Sequence, residues 1–279
     1  MFRSKILSSG AAILALLGLV CNFAPAYAAD NALTRITSAK TLRVGVAEFP
    51  PFVAKNAQSG ELEGFEVDAG RMLGEEMGVK VEFVEMTWPT LVAGLQSGRY
   101  DVVMSGMGRA IQRAMAVSFS DPYVSLVEMA MVRGDTGINS WADVTKSNGS
   151  VAAVLGGLTY LKADANKDQL GSAKLTPFKE LAIAGNAVIS KQAVAWIEDV
   201  VSIQSFMKAH PNVPLKTVTV PFVGRGAGNA YAVRQGDPDL LGVLNIFVNK
   251  MQNSGAYRTL GKKWGLPDVI IIPGVMEGR

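Results

Sequence analysis

Hydrophobic and polar positions follow two kinds of repeat along the chain. Short β-rich runs, such as 42–46 and 81–85, alternate with segments whose apolar residues recur every three to four positions. One such segment carries its apolar residues at Phe65, Ala69, Met72, Leu73 and Met77, directly before Gly78. This spacing predicts an amphipathic helix that a glycine terminates.

A second series of the same kind begins near Ser150. Residues 151–155 resemble a strand, residues 158–165 follow with a helical pattern, and 193–197 form a further apolar run. Strands that alternate with helices are joined by crossovers and pair largely in parallel. The chain is therefore predicted to build two α/β units, connected by the apolar stretch 124–132.

The C-terminal part contains a clear helix signal. Asp237 directly precedes Pro238. Aspartate is favoured at the N-cap of a helix, and proline is favoured at the first helical position. One face of the predicted helix carries Leu240, Leu241, Leu244, Phe247, Val248 and Met251. Gly255 is expected to end it, and a second short helix is predicted through Leu260 and Trp264.

The first 28 residues have the three parts of a secretory signal peptide. Two basic residues precede an apolar run from Ile6 to Val20, and Ala26-Tyr27-Ala28 places small residues at both positions that signal peptidase reads. The apolar run is shorter than the roughly 20 residues needed to span a bilayer, which argues against a membrane anchor. Cys21 follows Val20 rather than a small residue, which argues against lipidation. We predict cleavage after Ala28.

Composition narrows the functional classes further. After cleavage the chain keeps 25 basic and 24 acidic residues and no cysteine, so a disulfide, a thiol nucleophile and a cysteine metal site are not expected. A nearly neutral balance gives no support for a nucleic-acid partner. No metal-ligand cluster or phosphate loop is visible in the sequence, so neither a metal nor another cofactor is predicted.

Four stretches of sequence, together with the C-terminal segment, carry a family resemblance. They are Leu42-Arg43-Val44-Gly45 with Phe49-Pro50-Pro51-Phe52, then 60–68, 95–103 and 119–123, and finally 254–265. In this order and spacing the chain resembles the polar-amino-acid-binding proteins of bacterial ABC importers, a group that also includes periplasmic cyclohexadienyl dehydratases.

The resemblance implies a type II periplasmic-binding-protein fold. Two α/β lobes, each a mainly parallel sheet flanked by helices, would be joined by two hinge strands, with the ligand between the lobes. Residues 29–126 and 226–279 would form lobe one, and residues 127–225 would form lobe two. The protein is expected to act as a monomer in the periplasm and to deliver its ligand to a membrane permease.

A buried zwitterion needs a cation for its carboxylate and an anion or acceptor for its ammonium. Arg113 lies where the family keeps an arginine, and a guanidinium can bind a carboxylate through two parallel hydrogen bonds. Asp199 matches the family's acidic residue for the ammonium. A helix N-cap is the alternative role for Asp199, and its neighbour Glu198 is the alternative anion.

Other candidates shape the rest of the site. Thr159 begins a predicted helix, where free N–H groups favour anions, or it simply caps that helix. Gly106 and Gly108 are expected to present backbone groups to the ligand. The aromatic residues Phe49, Phe52 and Trp88 resemble the family's side-chain pocket, although each would otherwise be an ordinary core residue.

The chain also departs from the family pattern. Gly108-Arg109 stands where the family has a hydroxyl residue, which leaves room for a plain carboxylate or a modified amine as ligand. Arg109 favours a ligand with two acidic groups, whereas Glu48 favours a basic one, so the ligand's charge stays open.

The alternative function is a dehydratase on the same fold, with Glu198, Glu48 or Asp199 as its general acid. A further alternative is a partner that hands its ligand to a receptor.

Overall fold

The computed structural model describes residues 31–223 and 226–272. The predicted signal peptide lies outside these residues. No helix within them is long and apolar enough to cross a membrane.

Helices and strands alternate through most of the chain. The strands are β1 (Thr41–Ala47), β2 (Ala54–Lys55), β3 (Leu62–Glu63), β4 (Lys80–Met86), β5 (Val102–Val103), β6 (Val117–Phe119), β7 (Glu128–Arg133), β8 (Ser150–Val154), β9 (Lys174–Phe178), β10 (Ala195–Asp199), β11 (Leu215–Val218) and β12 (Ala232–Arg234). The α-helices are α1 (Ala32–Ala39), α2 (Phe65–Met77), α3 (Trp88–Gln96), α4 (Ile111–Ala114), α5 (Trp141–Lys146), α6 (Leu158–Ala165), α7 (Leu181–Ile189), α8 (Val200–Ala209), α9 (Pro238–Asn253) and α10 (Ala256–Lys263).

Two mixed five-stranded sheets organise the fold. The first has the order β4-β1-β5-β12-β6, and the second has the order β11-β7-β10-β8-β9. In each sheet the strands joined by crossover helices pair in parallel, as the alternating pattern predicts. In the first sheet β12 pairs antiparallel with its neighbours, and in the second sheet β7 does. The chain reaches β7 directly from β6 of the first sheet and reaches β12 directly from β11 of the second sheet. A strand that arrives without a crossover is free to pair antiparallel.

Two chain segments cross between the sheets, at 120–127 and 219–231. They touch through an isolated bridge between Val124 and Asn229, in which the N–H of Asn229 donates to the carbonyl of Val124 at 2.7 Å. The first sheet is consequently built from both ends of the chain and the second from its middle.

Helix ends follow the local sequence signals in part. Helix α2 ends at Gly78, whose φ of +63° is the left-handed conformation that glycine adopts without strain. Helix α9 begins after Asp237 as predicted, but the Asp237 side chain does not cap it. Its Oδ2 pairs with Arg234 at 3.0 Å, and its Oδ1 accepts from the N–H of Ala32 at 3.4 Å.

A stack of aromatic rings fills the core of the first lobe. Phe65, Tyr123, Tyr231 and Tyr257 lie with neighbouring ring centroids between 4.5 and 6.1 Å apart. The buried hydroxyls of Tyr231 and Tyr257 hydrogen-bond each other at 2.8 Å, which satisfies polar groups that would otherwise be costly to bury. Tyr123 belongs to the first crossing segment, so this core fixes one end of the interlobe connection.

Candidate functional site

A cavity lies where the carboxyl ends of strands from both sheets face each other. The centre of a water-sized sphere can occupy about 40 Å³ of it, and its total empty space, which includes open solvent, is about 520 Å³. Seven of the eight predicted ligand-binding residues line it: Phe49, Trp88, Gly106, Gly108, Arg113, Thr159 and Asp199. The structure therefore brings together residues spread over 150 positions of sequence.

Phe52, the eighth predicted residue, is placed differently. It is fully buried and is not among the residues that line the cavity. Its ring stacks on Phe49 with centroids 5.0 Å apart. Phe52 thus supports the aromatic wall from behind, which is the ordinary core role considered for it.

Arg113 projects from the short helix α4 and bridges the two lobes. Its side chain is only 6% exposed, and it donates to the carbonyls of Gly108 in lobe one and Gly156 in lobe two, each at 2.6 Å. Burial lowers the pKa of Arg113 to about 10, partly offset by the charge of Glu198. The guanidinium therefore stays protonated at neutral pH, with no ion pair among the described residues.

Asp199 caps a helix, which is one of the two roles considered for it. One carboxylate oxygen, Oδ1, accepts from the N–H groups of Val201 and Ser202 at 2.9 and 3.0 Å and so caps helix α8. The other oxygen, Oδ2, is buried and has no hydrogen-bond partner in the part of the chain that the structure describes. Burial raises the pKa of Asp199 to about 6, partly offset by the hydrogen bonds from Ser202 and Val201. The capping bonds hold the second oxygen at the cavity wall.

Thr159 lies in the first turn of α6, whose leading N–H groups have no acceptor within the helix. The side chain is 2% exposed, and its hydroxyl oxygen has no partner among residues 31–223 and 226–272. A buried hydroxyl without a partner costs free energy unless something binds to it. This end of α6 is suited to an anionic group.

The aromatic wall of lobe one is held by local structure. Trp88 is the first residue of α3, and its indole N–H donates to the carbonyl of Glu48 at 3.1 Å. Phe49 follows β1 and meets Trp88 edge to face, with ring centroids 5.6 Å apart. These rings offer an apolar surface that also attracts a cation.

The glycines of the cavity shape it rather than offer free backbone groups. The N–H of Gly106 donates to Glu66, and its carbonyl accepts from the Asn229 side chain. Gly106 has a φ of +61°, and a Cβ there would lie 2.8 Å from the Phe49 ring. The carbonyl of Gly108 accepts from Arg113. The N–H and carbonyl of Gly106 are thus both bonded within the protein, and the prediction that Gly106 and Gly108 present backbone groups to a ligand stays a prediction.

Glu66 is a residue whose part in the site the sequence did not reveal. It is fully buried on α2, and its Oε1 accepts from the Gly106 N–H at 3.0 Å and from the hydroxyl of Tyr123. Burial raises the pKa of Glu66 to about 8, partly offset by those two hydrogen bonds. The sequence signal that could have identified Glu66 is its position as an acidic residue on the apolar face of an amphipathic helix. Glu66 connects the cavity loop to the first crossing segment.

Lobe two contributes two further carboxyl groups, those of Glu128 and Glu198. The antiparallel pairing of β10 with β7 places Asp199 opposite Glu128 and so gathers the acids at one edge of the sheet. Lys162 pairs with Glu128 at 2.6 Å. Burial and the neighbouring Asp199 raise the pKa of Glu198 well above its usual range. Both acids line the cavity.

The two residues that gave conflicting indications of ligand charge lie elsewhere. Arg109 lines a separate groove between α4 and α6, and Glu48 lines another groove beside Lys179 and Glu180. Neither is among the lining residues of the cavity that holds Arg113. In this structure Arg109 is therefore not a second cation of the cavity.

A cavity between two α/β lobes, with buried charges of both signs on its walls, defines a protein that encloses a small polar solute. The family model of bacterial extracellular solute-binding proteins, family 3, matches residues 42–267. The chain belongs to that family.

Individual relatives agree with this assignment. A probable histidine-binding protein of Neisseria gonorrhoeae is 30% identical over 262 residues, which are 91% of this chain and 94% of that protein. A solved ancestral amino-acid-binding protein, a precursor of cyclohexadienyl dehydratase, is 34% identical with a TM-score of 0.73 over 84% of this chain and 99% of its own. An ancestral arginine-binding protein bound to arginine is 32% identical with a TM-score of 0.73 over 81% of this chain and 98% of its own.

The comparisons confirm the predicted family and the two-lobe fold class. They also support the predicted function, substrate binding for an ABC importer, over the dehydratase alternative. Proteins of this family act outside the cytoplasm on small solutes.

Proposed function

We propose that this protein binds an amino acid in the cavity between its lobes, with the ligand carboxylate on Arg113 and the ligand ammonium on Asp199. The observation that carries the proposal is that the buried guanidinium of Arg113 lines the same cavity as a buried carboxyl oxygen of Asp199, which has no hydrogen-bond partner among the described residues. A zwitterion supplies one group of each sign. The amino-acid ligands of the relatives described above point to the same class.

Ligand capture would proceed by closure of the lobes. Arg113 belongs to lobe one but already donates to Gly156 of lobe two, whereas Asp199 and Thr159 approach from lobe two. A ligand held by groups from both lobes favours the closed form by its additional contacts there. We place the lobes at residues 29–126 with 226–279 and at residues 127–225, because the two crossing segments separate the two sheets.

The cellular setting follows from the same proposal. We propose that the signal peptide at residues 1–28 directs the chain to the periplasm, where it acts as a monomer and delivers its ligand to the permease of an ABC importer. The family's extracellular location and the basic, apolar and small-residue parts of the N-terminus support this setting.

We further propose that the protein releases its ligand unchanged. The family consists of solute-binding proteins, although one structural relative is a precursor of a dehydratase. Incubation of the mature protein with prephenate or arogenate, followed by chromatography of the products, tests this directly. Steady formation of an aromatic product would contradict the proposal.

The binding mode is tested by calorimetry on the mature protein and two arginine variants. In wild type we expect an amino acid among arginine, histidine and glutamine to bind with micromolar affinity. Arg113→Ala should weaken that binding by about 3 kcal/mol, roughly a hundredfold, because the carboxylate would be buried without its cation. Arg109→Ala is the matched control, and it should change affinity by less than about threefold, because Arg109 lies outside the cavity.

Circular dichroism of each variant separates loss of binding from loss of folding. Unchanged affinity in a folded Arg113→Ala variant would contradict the carboxylate assignment. Absence of binding to every amino acid tested, in folded wild-type protein, would contradict the proposed ligand class.

A further inference from the structure

Two carboxyl groups stand side by side at the end of β10. Glu198 is 7% exposed and Asp199 is 3% exposed, and both line the cavity. Neither forms an ion pair within the described part of the chain. Within residues 31–223 and 226–272, the cavity therefore holds two acids without an ion-pair partner, and Arg113 is the arginine among its lining residues.

An ordinary zwitterion does not balance this set of charges. Its carboxylate would use Arg113 and its ammonium would use Asp199. The Glu198 carboxyl, whose Oε1 accepts from the N–H of Asp199 at 3.1 Å, would then have no cation among the described residues. A buried carboxylate without a cation is strongly disfavoured, so Glu198 must either keep its proton or meet a second positive charge.

The surroundings of Glu198 favour the protonated form when the cavity is empty. Among the described residues, the charged groups that act on it are Asp199 on its own strand, Glu128 on β7 and Arg113 on α4. Lys162 on α6 is already held by Glu128 at 2.6 Å. Burial and the two acids outweigh the single guanidinium, so the pKa of Glu198 lies well above its usual range.

We propose that Glu198 is a specificity-determining residue that selects an amino acid with a positively charged side chain. The Glu198 carboxyl is neutral in the empty cavity and releases its proton to solvent when the ligand's second cation arrives. The ligand contributes one positive charge and the carboxyl becomes one negative charge, so the cavity gains no net charge. This inference rests on the proposed amino-acid function and adds the ligand's charge to it.

Calorimetry with arginine and glutamine tests the proposal, because both are long amino acids and only arginine carries the second charge. Each titration is repeated in two buffers of different ionisation enthalpy at pH 7.5, which gives the number of protons released. In wild type we expect arginine to bind at least about tenfold more tightly than glutamine and to release about one proton more.

Glu198→Gln keeps the shape of the side chain and removes its titration. We expect this variant to bind arginine at least about tenfold more weakly than wild type, to bind glutamine within about threefold of wild type, and to lose the additional proton release. Glu48→Gln is the matched control, since Glu48 lies in a neighbouring groove beside Lys179 and Glu180. This control should keep both the preference and the proton release.

The outcomes separate this inference from the function on which it rests. Tight binding of glutamine with no preference for arginine would overturn the role of Glu198 and leave the amino-acid function intact. A preference lost in Glu48→Gln but kept in Glu198→Gln would also overturn it. The proton count on wild-type protein decides the matter even where a variant fails to fold, since arginine binding without additional proton release contradicts the mechanism.

Discussion

The buried carboxyl of Glu66 makes the stability of this protein depend on pH in a defined way. Its pKa rises from a usual 4.5 to about 8 because no charged group compensates its burial. The folded protein thus holds this proton more tightly than the unfolded chain does. The contribution is complete below pH 4.5 and is lost as the pH rises through 8.

The magnitude follows from the size of the shift. Each pKa unit corresponds to about 1.4 kcal/mol, so raising the pKa of Glu66 to about 8 corresponds to about 5 kcal/mol of stability that is lost between low and high pH. Ionised Glu66 would keep its bonds to Gly106 and Tyr123 but would remain without a cation. This figure is an upper value, since water entry on ionisation relieves part of the cost.

Glu66→Gln isolates the effect, because glutamine has the shape of the protonated acid and does not titrate. We expect the free energy of unfolding of wild type to fall between pH 5 and pH 9 by several kcal/mol more than that of the variant. At pH 5 the variant should be less stable by about 1 kcal/mol, since its amide nitrogen replaces Oε2, which has no partner among the described residues.

Urea unfolding followed by circular dichroism at pH 5, 7 and 9 measures these differences. Glu82→Gln is the control, because Glu82 is half exposed on β4 and should leave the pH dependence unchanged. The reasoning is refuted if wild type and Glu66→Gln show the same dependence on pH.

Two substitutions at the cavity test separate features of the site. Asp199→Asn should keep the cap on α8 and change stability by less than about 0.5 kcal/mol, but it should lower ligand affinity at least about tenfold. Asp199→Ala should lower ligand affinity and also destabilise the protein by about 1 kcal/mol, because it removes the cap. Calorimetry and thermal unfolding compare the two variants, and equal stabilities would contradict the capping role. Gly108→Ala would place a Cβ 2.5 Å from Leu158 of the other lobe, so we expect this variant to oppose lobe closure with little effect on the free energy of unfolding. Small-angle X-ray scattering measures the radius of gyration with and without ligand. An unchanged radius in the variant supports the prediction, and compaction as in wild type contradicts it.

The sequence by itself determined many of the local elements and seven of the residues that line the cavity. Helix α6 spans Leu158–Ala165, the range that apolar spacing predicts, because helix periodicity is a property of neighbouring residues. The family resemblance located Arg113 and Asp199 at positions that line one cavity. Helix α7 was not predicted, since Leu181–Ile189 is apolar at nearly every position and shows little helical periodicity.

Only the tertiary structure decided which distant residues share an environment. Glu66 meets Gly106 across 40 positions of sequence, and Glu128 lies opposite Asp199 through strand register. Burial and proximity set the ionisation of these carboxyls, and neither can be read from residue order. The same limit applies to Phe52, which lies behind the cavity wall because Phe49 packs in front of it. Sequence spacing fixes which face of an element is apolar, whereas contacts between elements fix which charges remain without partners.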